Sequence, residues 1–178
     1  LTLFEYISRY RTDRLAKIVI VDQSPKLMTD DEWRLGVFGD LPAEKNEELM
    51  SIFSADVPGG LNEMGKLMLH QEFNKNSSMA ARFPAEVLPV PATEASRGLA
   101  SIWRSFSAKD YRPVLPLIDV PALLLYGEQS QCYLRPTGEY VRDNIPGSKL
   151  VYFPQGDHSP FFANESEFFR LVKEFIAE

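Results

Sequence analysis

Apolar residues recur at positions 1, 3, 4, 6, 7 and 10 of the opening LTLFEYISRY, the spacing of one helical face. Leu15–Val21, LAKIVIV, is short and β-branched and predicts a buried strand, closed by Asp22-Gln23-Ser24-Pro25. A different texture runs from about Leu27 to Arg112, where helical pieces alternate with Pro and Gly breaks. Thr29 as a cap with acidic Asp30, Asp31 and Glu32 behind it predicts a helix carrying Trp33, Val37 and Phe38. Pro42–Phe53 predicts a second helix stopped by Pro58-Gly59-Gly60, and Leu61–Phe73 a third. A Pro-punctuated connection, Pro84–Pro91, leads to a fourth, Thr93–Phe106. Sheet texture then returns with Ala122–Tyr126, a helix over Pro136–Asn144, the apolar run Leu150–Phe153 and a last helix, Glu165–Glu178. The alternation of strands with helices predicts an α/β class with a parallel sheet. Three segments follow: core over 1–26, a helical cap over 27–112, and core again over 113–178.

The last strand stops at Pro154 and Gly156, and His158 follows on the loop. In open α/β sheets ligands bind at the C-terminal edge of the strands. His158 therefore stands where an imidazole can work as a general base near neutral pH. The cap's aromatics and methionines suit either a core or a lipophilic pocket.

Charge and composition narrow the function classes. A net charge of -6 and no basic run argue against nucleic acid and anionic membranes. No apolar run approaches the roughly 18 residues of a membrane span. The single cysteine, Cys132, excludes an internal disulfide and fits a reducing, cytoplasmic compartment. His70 and His158 are the only histidines and share no metal-ligand spacing, so no metal is expected. His70, on a helical face, reads as structural. The chain has no phosphate-binding glycine loop and no dinucleotide fingerprint, so no cofactor is expected. It opens without Met, inside a helical pattern, which does not read as a natural start.

Three stretches resemble the C-terminal half of an α/β-hydrolase. RLAKIVIVDQSP is similar to that fold's sixth strand and its exit, and DVPALLLYGE to the seventh. IPGSKLVYFPQGDHSPFFANESEFFRLVKEFI is similar to the eighth strand, the catalytic-histidine loop and the closing helix. The helical segment sits where the family carries its cap. The resemblance implies that His158 is the catalytic base, and that the nucleophile elbow, G-x-S-x-G, lies upstream of Leu1 with the first five strands and most of the oxyanion hole. The 178 residues alone are then expected to be inactive, needing the N-terminal half of the fold as partner.

The family's usual acid follows the seventh strand in a G-x-x-D pattern, which reads Gly127-Glu128-Gln129-Ser130 here. Ser130 cannot hold the charge. Asp22, at the end of the sixth strand, and Glu128 are the carboxylates left to serve, with Asp22 preferred; a strand-end Asp that merely caps its turn is the competing reading. Asp157 adjoins His158, but neighbouring loop side chains rarely converge on one bond. Cys132 is not at an elbow and is expected to be unreactive. The resemblance thus implies a serine hydrolase of a small or medium lipophilic ester, with His158 and Asp22 as its catalytic residues here. Two alternatives stay open: an Asp nucleophile, as in haloalkane dehalogenases and epoxide hydrolases, or a non-catalytic binding protein on the same scaffold.

Overall fold

The computed structural model describes residues 1–69 and 94–178. Three parallel strands form its sheet in the order β1 (Ile18–Val21), β2 (Ala122–Gly127), β3 (Lys149–Phe153). Ile18 lies opposite Ala122 and Val21 opposite Leu125; Leu125 in turn faces Val151, and Gly127 faces Phe153. Every residue of the central strand β2 is buried, as a strand covered on both faces must be.

Alternation along β2 divides the core into two layers. Ala122, Leu124 and Tyr126 join Ile18, Ile20, Leu115, Ile118, Val141 and Ile145 on one face. That face is covered by α1 (Thr2–Tyr10), through Phe4 and Ile7, by the 3-10 turns of Arg112–Leu117, and by α5 (Arg135–Asn144). Leu123 and Leu125 point the other way, onto Phe153 and the Phe168 and Phe175 face of α6 (Glu165–Ala177). Asn164 caps α6 by accepting from the Glu167 N–H.

The segment between β1 and β2 contains three helices among the described residues: α2 (Ala43–Ala55), α3 (Val57–Leu69) and α4 (Glu94–Ser107). Leu49, Met50, Phe53, Val57 and Ala100 form its core. Asn46 on α2 ties α4 to it, accepting from Trp103 Nε1 at 2.7 Å and donating to Ser107 Oγ at 3.3 Å. Arg104 adds an ion pair to Glu47 at 2.6 Å. Residues 70–93, which include His70, the end of the expected third helix and the Pro84–Pro91 connection, lie outside the described residues.

Two expectations need correction. No α-helix forms over 29–38. The chain there turns between Asp30 and Trp33, makes a 3-10 turn over Val37–Gly39 and folds back on itself: Val37 N–H donates to Leu27 O at 2.8 Å, and Thr29 N–H to Leu41 O at 3.0 Å. A Cβ at Gly36 would lie 2.2 Å from Leu27 O, so this close approach requires glycine. Burial of Leu27, Trp33, Phe38 and Leu41 outweighs the local helix signal. Nor does Pro58-Gly59-Gly60 end a helix: α2 ends at Ala55, and those residues form the first turn of α3. Proline's missing N–H costs nothing in a first turn.

Candidate active site

Both carboxylate and imidazole come from strand ends. β1 closes at Val21, and Asp22 continues its ladder through Asp22 N–H to Leu125 O at 2.9 Å. Asp22 then turns sharply, with φ of 41°, in the left-handed region that Asp tolerates better than most residues. Its side chain is fully buried. β3 closes at Phe153, and the loop to Pro160 carries His158 back over the end of β2. Gln129 N–H donates to Gly156 O at 2.8 Å, and His158 N–H to Gln131 Oε1 at 3.1 Å, which fixes that loop against the loop after β2.

Asp22 and His158, 136 residues apart in sequence, meet there. His158 Nδ1 lies 2.7 Å from Asp22 Oδ2. A carboxylate only accepts, so Nδ1 carries the proton and Nε2 is left as the acceptor in the neutral ring. The imidazole side chain is 36% exposed while its partner is sealed. Asp22 Oδ1 accepts from Gly127 N–H at 3.2 Å, and Oδ2 also accepts from Ser130 Oγ at 2.5 Å. Ser130 Oγ in turn accepts from Cys132 N–H and Tyr133 N–H, at 3.2 and 3.1 Å.

Tyr133 stands edge-on to the His158 ring, with centroids 5.8 Å apart. Its hydroxyl accepts from Gln23 Nε2 at 2.8 Å, and Tyr126 Oη donates to Gln23 O at 2.5 Å. Burial holds both phenols well above their ordinary pKa, so they stay neutral donors and acceptors. Tyr133 and Cys132 also pack on Leu27, Met28, Val37, Phe38 and Leu41, and through Met64, Leu67 and Trp103 this cluster runs on into the core of the helices between β1 and β2. The apolar wall therefore begins beside the imidazole. An open cleft of about 140 Å³ follows β1, lined by Leu1, Leu3, Phe4, residues 19–21 and Gln23, one residue from Asp22.

The other carboxylates point elsewhere. Glu128 pairs with Arg135 at 2.5 Å. Asp157 Oδ1 accepts from Ser159 N–H at 2.8 Å. Among the described residues no group of three potential ligands could hold a metal, and no helix is long and apolar enough to cross a membrane.

Burial lowers the imidazole pKa, but the hydrogen bond to Asp22, helped by the nearby Cys132 sulfur, outweighs it, and the net shift is upward. A raised folded-state value stabilises the fold fully below the ordinary imidazole pKa of about 6.5 and loses that contribution as pH rises through the folded value. Urea midpoints should therefore fall more steeply between pH 6 and pH 9 in the native protein than in His158→Gln. Parallel slopes would show that the pair contributes nothing to stability.

Sequence reasoning missed Gly127, Ser130, Gln131 and Tyr133. The Gly127-x-x-Ser130 spacing marked the place, but a serine there signalled only a missing acid.

No family model matches the chain. Among curated proteins it is 22% identical over 172 residues to a pimeloyl-[acyl-carrier protein] methyl ester esterase of Neisseria meningitidis serogroup B, covering 96% of this chain and 63% of that protein. The same comparison with the protein of that name from Legionella pneumophila gives 24% over 163 residues, 92% and 61%. Among solved structures it superposes on an esterase from Exiguobacterium antarcticum with a TM-score of 0.76 at 19% identity, over 99% of this chain and 62% of that one. A bromoperoxidase from Bacillus anthracis gives a TM-score of 0.71 at 21% identity, over 99% and 63%. The chain spans just over three-fifths of the length of each, 61 to 63%. With its parallel sheet flanked by helices, and with these likenesses running along nearly all of it, the chain has the α/β-hydrolase fold.

Proposed function

We propose that the protein carrying this chain is a serine hydrolase of carboxylic esters, in which His158 is the general base and acid and Asp22 its orienting carboxylate. The single observation behind this reading is the 2.7 Å contact between a partly exposed imidazole and a fully buried carboxylate at the strand edge. The proposed nucleophile is a serine outside residues 1–178. Its hydroxyl oxygen attacks the ester carbonyl carbon and gives its proton to His158 Nε2. That proton leaves with the alcohol as the C–O bond breaks. Water then attacks the acyl-enzyme, passing a proton to Nε2, and that proton returns to the serine as the acid departs. Asp22 holds Nδ1–H throughout and stabilises the imidazolium formed at each transfer. The apolar wall from Tyr133 through Phe38, Leu67 and Trp103 supports a small or medium lipophilic acyl or alcohol group. The esterase names of the curated relatives support the reaction class.

A fluorophosphonate probe tests this on the full-length protein. Covalent labelling of one serine beyond this chain is expected, abolished in His158→Ala, together with turnover of p-nitrophenyl esters. A folded native protein that neither labels nor turns over ester would sink the serine mechanism. Turnover without labelling would point to the aspartate nucleophile instead.

A further inference from the structure

Ser130 occupies the position where an α/β-hydrolase usually carries its acid, yet it is built into the site rather than vacant. It is 1% exposed. Its hydroxyl donates to Asp22 Oδ2 at 2.5 Å, the same oxygen that meets His158 Nδ1 at 2.7 Å. The hydroxyl can spend its one proton on Oδ2 because two main-chain N–H groups, from Cys132 and Tyr133, already occupy its lone pairs. Gly127 N–H holds the other carboxylate oxygen. The carboxylate thus receives Ser130 and His158 on one oxygen and main chain on the other, which leaves it little freedom to rotate.

We propose that Ser130 is a positioning residue that acts through Asp22: its hydroxyl shares Oδ2 with the His158 N–H bond and so sets how tightly the imidazole holds its proton.

Removing the hydroxyl leaves Oδ2 with one donor fewer and more of its charge for His158, so the imidazole binds its proton more tightly. Its titratable neighbours are Asp22 from β1, Cys132 and Tyr133 from the loop after β2, Tyr126 from β2 through its contact with Gln23, and Asp157 beside it. Ser130→Ala removes the bond to Asp22 and takes away the acceptor of the Cys132 and Tyr133 N–H groups, while leaving every charged neighbour in place. The proposal rests on the esterase reading for its kinetic arm alone; its spectroscopic arm needs no activity.

The experiment follows the His158 ring by 15N-resolved NMR in the full-length protein, with His70→Gln to isolate the signal. In Ser130→Ala the His158 titration midpoint should move upward, and in Ser130→Thr return towards the native value. Kinetically, the acid limb of the pH–rate profile should shift the same way, lowering kcat at pH 6 about tenfold with KM little changed. A folded Ser130→Ala whose His158 midpoint is unmoved or lowered overturns that role. If Ser130→Ala does not fold, Ser130→Cys decides it: the thiol is a poor donor, so an upward His158 midpoint supports the role and an unmoved one overturns it. If the native protein hydrolyses no ester, the serine-hydrolase reading fails while the titration still decides the role of Ser130.

Discussion

Asp22→Asn is expected to lower kcat about ten-thousand-fold while leaving KM within a factor of a few. Asn keeps the size of the side chain and tolerates a φ of 41°, and its amide oxygen can still accept from Gly127 N–H. That orientation points its NH2 group at His158 Nδ1. A donor there forces Nδ1 to become the acceptor and moves the ring proton to Nε2, the one nitrogen that must be free to take the nucleophile's proton. The charge that stabilises the imidazolium is lost at the same time. Both losses are felt only when the proton moves, so they fall on kcat and not on binding. Steady-state kinetics on the full-length variant, with circular dichroism to establish the fold, makes the measurement. A variant that kept kcat within tenfold of the native value would remove Asp22 from the mechanism. A raised KM with normal kcat would make it a binding residue.

What was legible in the sequence, and what was not, follows from the range of the forces involved. ALLLY reads as a buried strand because a parallel strand covered on both faces must be apolar at every position, and β2 is buried throughout. The His158 loop reads locally as well: an apolar run, Pro154, Gly156, then the imidazole. The segment 29–38 misled because Thr29 and its acidic followers are a good cap. Main-chain pairing of Val37 with Leu27 and of Thr29 with Leu41 took precedence, since it buries four large apolar side chains. Pro58 misled for the opposite reason: proline breaks a helix interior and begins a helix equally well, and only the surrounding packing chooses. The cluster around Asp22 had almost no local trace. Its contacts join residues 105, 108 and 136 positions apart, and no periodicity spans such distances. Only the resemblance at the strand ends directed attention to Asp22. Nothing in the spacing indicated that Ser130 would be its neighbour, because a serine in an acid's place reads as a loss until its contacts are seen.

Gly127→Ala should damage stability and catalysis together, although its side chain touches neither substrate nor proton. A Cβ at Gly127 would stand 2.2 Å from Asp157 O and 2.4 Å from Gly156 O, distances no real Cβ tolerates. Both obstacles are backbone atoms, and swinging a side chain cannot relieve them. Either the end of β2 or the loop bearing His158 must retreat. β2 is the buried centre of the sheet, paired on both sides, so the loop is the softer body. Its retreat strains the bonds that hold it, from Gln129 N–H to Gly156 O and from His158 N–H to Gln131 Oε1. Overpacking of this kind costs about 1–3 kcal/mol, read as a lower urea midpoint at unchanged slope. The imidazole moves with its loop while Asp22 stays anchored to Gly127 N–H and Ser130, so their 2.7 Å contact lengthens. A displacement of about 1 Å at a reacting group costs about a hundredfold in rate, and kcat should fall by that order. The His158 titration midpoint should drop at the same time, since the bond that raises it has weakened. A variant as stable and as fast as the native protein would mean that the loop's position owes nothing to the missing side chain at 127. Loss of stability with kcat intact would separate the packing of the strand end from the placement of the histidine.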